Sequence, residues 1–104
     1  MKKLLIVLLC TFGYTLFSQD TVKVASQLTP DQQAEVDYNL GLEKLKANDY
    51  TSAIDFFTKS ITNKPTFDKA LTNRAVALTQ AKRYVEAAAD INAVIKISIR
   101  TLWR

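Results

Sequence analysis

The 104-residue chain predicts an all-α protein of stacked helix hairpins, on three grounds. It repeats itself at an offset of 34 residues: Asn39 falls on Asn73, Ala47 on Ala81, Tyr50 on Tyr84, Ala53 on Ala87 and Ile61 on Ile95. A fixed period of this size means a supersecondary unit stacked on a copy of itself. Within each copy the apolar residues recur at the three- and four-residue spacing of a helix face. With two glycines and two prolines, little in the sequence breaks a helix. An apolar content of 48% against 23% charged residues is that of a globular chain, with room for one small domain.

The segment 1–18 has the pattern of a secretory signal. Lys2 and Lys3 form its positive start and an apolar stretch runs from Leu4 to Phe17. That stretch is shorter than the roughly 20 residues a membrane-spanning helix needs. Cleavage is expected near Ser18 or Gln19, with an uncleaved membrane anchor as the alternative. Residues 19–28 are polar and form a linker. Thr29-Pro30-Asp31-Gln32 is a helix start, with Thr29 as cap, Pro30 in the first turn and Gln32 completing a capping box.

The first helix runs to about Ala47, with Val36, Leu40 and Gly41 on one side and Leu45 beyond. Asn48 tolerates the left-handed turn conformation and Asp49 can cap the second helix. That helix, Tyr50 to about Asn63, carries Ala53, Ile54, Phe57 and Ile61 as its apolar stripe, and Lys64-Pro65 ends it. A third helix begins near Phe67 with Ala70, Leu71, Ala75, Val76 and Leu78. Its turn, Ala81-Lys82-Arg83, lacks the usual Gly or Asn. A fourth begins at Tyr84 and carries Ala87, Ala88, Ile91, Val94 and Ile95. Ile95, Ile97 and Ile99 then alternate in the manner of a strand, and Leu102-Trp103 adds apolar bulk at the tail. The small residues Gly41 and Ala75 are expected to face Ala53 and Ala87, with Phe57 and Ile91 filling the space beneath. Tyr50 and Tyr84 are expected to pack within their repeats.

Position by position, the first copy resembles a tetratricopeptide repeat (TPR). Leu40-Gly41 stands for the Leu-Gly pair, and Tyr50, Ala53, Phe57 and Pro65 occupy the remaining signature places. Asp37 and Leu71 stand where the family has its first large aromatic. Copy two has Arg74-Ala75 for Leu-Gly and Ile99 for the closing Pro. The resemblance covers about 34–99 and divides the chain into a signal (1–18), linker (19–28), repeat 1 (29–66), repeat 2 (67–99) and tail (100–104). It implies a short right-handed solenoid whose inner wall is made by the first helix of each pair. The groove-facing, partner-binding residues would then be Glu35, Tyr38, Leu42 and Leu45 from repeat 1, and Lys69, Thr72, Asn73 and Val76 from repeat 2.

Such grooves bind extended peptides or partner helices. Asn73-Arg74 resembles the Asn-Arg pair of TPRs that grip a C-terminal carboxylate. Tyr38 and Leu42 occupy the places where that clamp needs Lys and Asn, so an apolar or aromatic ligand side chain suits the groove better. Read alone, Asn73 is equally a residue that bonds along its own helix, and Arg74 pairs with a surface carboxylate such as Asp55.

Several function classes are disfavoured. The formal charge is +4, two units of which lie in Lys2 and Lys3, and the basic residues are scattered, which does not suit nucleic acid. The chain has no histidine, and its one cysteine, Cys10, lies in the signal segment. Neither a disulfide framework nor a thiolate metal site is expected. With no nucleophile–base pair and no phosphate loop, the sequence does not point to an enzyme, a cofactor or a small-molecule substrate. The reading is an exported, periplasmic or cell-envelope interaction module or assembly scaffold that binds a protein or peptide. The alternative is the first part of a longer TPR solenoid or of a larger sensor or enzyme. Leu102-Trp103 is left as a tail on the last helix, a homodimer surface, or the start of a further repeat.

Overall fold

Four helices account for most of residues 27–104, the part of the chain that the computed structural model describes. Residues 1–26, which hold the expected signal (1–18) and most of the expected linker (19–28), lie outside the described residues. In order the helices are α1 (Pro30–Lys46), α2 (Tyr50–Asn63), α3 (Asp68–Gln80) and α4 (Tyr84–Leu102). α1 packs on α2, α2 on α3 and α3 on α4, with a lighter contact from α1 to α3. The protein is therefore all-α, with adjacent helix pairs in a helical-repeat arrangement and no strand among the described residues.

The local signals explain the helix ends. Thr29 Oγ1 accepts from Gln32 N at 3.2 Å while Thr29 N donates to Gln32 Oε1 at 3.0 Å, which closes the capping box. Asp49 Oδ1 accepts from Ser52 N at 3.3 Å and caps α2. The turn between α1 and α2 places Asn48 at φ 60°, with Asn48 N donating to Leu45 O and Asp49 N to Lys44 O. The turn between α3 and α4 repeats these bonds 34 residues on: Lys82 N donates to Thr79 O and Arg83 N to Leu78 O, with Lys82 at φ 63°. A left-handed residue at this place ends both helices in the same way.

The core lies between the hairpins. Ala53, Ile54 and Phe57 of α2, Ala75, Ala77 and Leu78 of α3, and Ala87 of α4 form its main cluster, with Leu42, Leu45 and Ala81 packed against it. Ala34, Phe67 and Ala70 form a second cluster. Tyr38 joins the two, its ring centroid 6.0 Å from that of Phe57 and 5.0 Å from that of Phe67. Ser60 is fully buried and donates from Oγ to Ala34 O at 2.7 Å, tying α1 to α2.

Five expectations are corrected. The strand-like alternation of Ile95, Ile97 and Ile99 is helical: α4 continues through position 100 to Leu102, because Ile91, Ile95, Ile99 and Leu102 also repeat at helical spacing. Ile91 does not fill a core as Phe57 does. Phe57 is fully buried between neighbours, whereas Ile91 is 43% exposed on a side of α4 that no described element covers. Tyr84 is likewise exposed, at the first position of α4. Val36 and Leu40 are about as open as Ile91, because no helix precedes α1 among the described residues; Ala34, Asp37 and Gly41 are its buried positions. Arg74 pairs with Asp90 and not with the exposed Asp55, since α4 brings Asp90 beside it.

Candidate functional site

The residues expected to bind a partner lie along α1 and α3, and the structure divides them into three sets. Tyr38, Leu42 and Leu45 are half-buried and contribute to packing between the repeats. Thr72 and Val76 line a shallow depression with Ala75, Thr79, Gln80 and Ile91, at the outer side of α3 and α4. Glu35 and Lys69 are exposed near the starts of α1 and α3.

Asn73 links the two helices. Its Nδ2 donates to Tyr38 Oη at 3.3 Å and to Lys69 O at 2.8 Å. Both amide hydrogens are thus engaged, and Oδ1 is the group left to accept a bond. Arg74 is directed elsewhere. Its Nε donates to Asp90 Oδ2 at 2.7 Å, and its other nitrogens reach Asp90 Oδ1 at 2.5 Å and Thr58 Oγ1 at 3.3 Å. Asp90 is 5% exposed, so this bidentate pair is largely withdrawn from water. With both Asn73 amide hydrogens engaged and the Arg74 guanidinium directed to Asp90 and Thr58, the dipeptide is not arranged as a carboxylate clamp. Sequence reasoning missed Asp90, which lies 16 positions from Arg74 and is found by the packing of α3 on α4.

An exposed ion pair lies at the start of α4, where Arg83 and Glu86 are 2.6 Å apart. The hydrogen bond from Arg83 holds the Glu86 carboxyl below its ordinary pKa, and the same bond raises that of Arg83. The Asp49 carboxyl is also held low, by its hydrogen bonds to Ser52 at the start of α2. These shifts belong to exposed helix starts and arise from local capping and pairing. Among the described residues no group of three or more His, Cys, Asp or Glu is placed to hold a metal ion. No helix among them is long and apolar enough to cross a membrane.

These features define a small helical-repeat protein with a mixed apolar and polar face on α1 and α3. In comparisons with known proteins, no family model, curated protein or solved structure matches the chain.

Proposed function

We propose that the chain is an exported interaction module of the tetratricopeptide type, binding a peptide or partner helix along α1 and α3. The observation that carries this reading is the Asn73–Tyr38 bond. It holds α1 and α3 together while Leu42, Leu45 and Val76 keep part of their apolar surface open. The 34-residue period, expressed in two turns of the same geometry, supports the family reading. A ligand would place an apolar side chain against Leu42 and Val76 and donate a backbone N–H to Asn73 Oδ1. Glu35 and Lys69 would set its orientation by charge.

The test is capture of a partner from cell-envelope extract by the immobilised chain, followed by binding of a synthetic peptide from that partner. Reversing the exposed charges with Glu35→Lys and Lys69→Glu, together with Val76→Ala, is expected to weaken peptide binding at least about 10-fold while leaving the helix content unchanged. Undiminished binding by that variant would move the site to another face. Export rests on segment 1–18 and is tested by the mass of the protein recovered outside the cytoplasm. Loss of that segment is expected, and an intact mass would favour an uncleaved anchor.

A further inference from the structure

The outer side of α3 and α4 repeats a surface that is covered in the first hairpin. Moved by 34 positions, Leu42 becomes Val76, Phe57 becomes Ile91 and Ile61 becomes Ile95. In the first hairpin these side chains pack into the two core clusters, beneath α3. In the second they are 45%, 43% and 49% exposed, and the stripe continues along α4 through Ile99 and Leu102. We propose that this face joins a second copy of the chain, α4 against α4 in antiparallel fashion, about a two-fold axis passing beside Ile95.

The stripe is nearly its own mirror in sequence. Ile91 and Ile99 each stand four positions from Ile95, Asn92 and Ser98 three, and Ala88 and Leu102 seven. At about 100° per residue all of these lie within roughly 60° of Ile95 around the helix, an arc that contains no charged residue from Tyr84 to Leu102. An antiparallel pair centred there sets Ile95 against Ile95, Ile91 against Ile99, and the small Ala88 against the large Leu102. The same surface patch serves both copies, as a closed two-fold interface requires. With Val76 and Tyr84, the exposed parts of the large side chains amount to roughly 600 Å² per copy, near the ~800 Å² per partner of a standard interface.

A head-to-tail arrangement fits less well. There α1 of one copy would sit on the open face as α3 sits on the first hairpin. That would set Glu43 and Lys44 at the places of Ala77 and Leu78, which are buried. Two charges would lose water without a partner supplied by the structure.

Sedimentation of the full chain over roughly 1 to 100 µM tests the proposal. A reversible dimer is expected, and Ile95→Glu, which places two like charges at the axis, is expected to weaken it at least about 100-fold with the helical circular dichroism retained. In a Cys10→Ser background, Ile95→Cys is expected to form a disulfide-linked dimer on oxidation, and Glu86→Cys, on the opposite side of α4, is not. The cross-linking result stands even if Ile95→Glu unfolds the chain. A monomer throughout the range, or equal cross-linking from both positions, would overturn the proposal and leave the face to another helix. Val76 borders both surfaces, but Ile95 lies on the dimer face alone and Glu35 and Lys69 on the peptide site alone, so Ile95→Glu and the Glu35→Lys with Lys69→Glu pair test the two readings separately.

Discussion

Gly41 and Arg74 show how single residues hold this stack. A Cβ placed on Gly41 would lie 2.5 Å from Cε1 of Phe57, so the ring of Phe57 fills the space directly beside the glycine. Gly41→Ala gains up to about 1 kcal/mol of helix propensity. It also forces a fully buried ring to move, and overpacking of this kind costs about 1–3 kcal/mol. The steric cost is larger, and a net loss of about 1 kcal/mol is expected in urea unfolding. Arg74→Ala removes the partner of the buried Asp90 carboxylate and is expected to cost about 3–5 kcal/mol. The places of Arg74 and Asp90 are filled in the first copy by Leu40 and Phe56. The double change Arg74→Leu with Asp90→Phe is therefore expected to recover most of that loss in the same measurement. A double variant no more stable than Arg74→Ala would show that the site cannot accept an apolar pair.

At the level of the elements, the two turns differ in how well their residues suit one geometry. Asn48 and Lys82 both have positive φ, which asparagine accepts and lysine resists by roughly 1 kcal/mol. Lys82→Asn is expected to raise the thermal midpoint by several degrees, since about 1 kcal/mol corresponds to 4–8 °C in a domain of this size. An unchanged midpoint would mean that the turn carries no such strain. These turns, the Thr29 capping box and the Asp49 cap were legible in the sequence because each depends on residues within a few positions of one another. The extent of α4 was not. Ile95, Ile97 and Ile99 fit a period of two as well as part of a helical stripe, and helical continuation from Val94 decides between them. Nor was the partner of Arg74 legible, because Asp55 and Asp90 are equally plausible until α3 and α4 are packed. That the candidate residues Glu35, Tyr38, Leu42 and Leu45 fall on α1, and Lys69, Thr72, Asn73 and Val76 on α3, was legible from the helix pattern. The division of that set between packing and open surface was not, because it depends on which neighbour covers each side chain.

In the whole molecule, repetition of sequence does not bring repetition of environment. Phe57 and Ile91 hold the same place in their repeats, but α3 closes over the first hairpin and no described element closes over the second. Each repeat in a stack draws stability from its neighbours, so equivalent substitutions should separate according to the number of neighbours. Phe57→Ala empties a fully buried site and is expected to cost about 3–5 kcal/mol. Ile91→Ala removes a side chain that is nearly half open and is expected to cost about 1 kcal/mol in dilute solution, where the chain is monomeric. Both values can be read from urea unfolding at sub-micromolar concentration. Raising the concentration should increase the cost of Ile91→Ala and leave that of Phe57→Ala nearly constant, because association covers the outer face of α4 and not the interior. Equal costs for the two variants at low concentration would mean that Ile91 is already covered within a single chain.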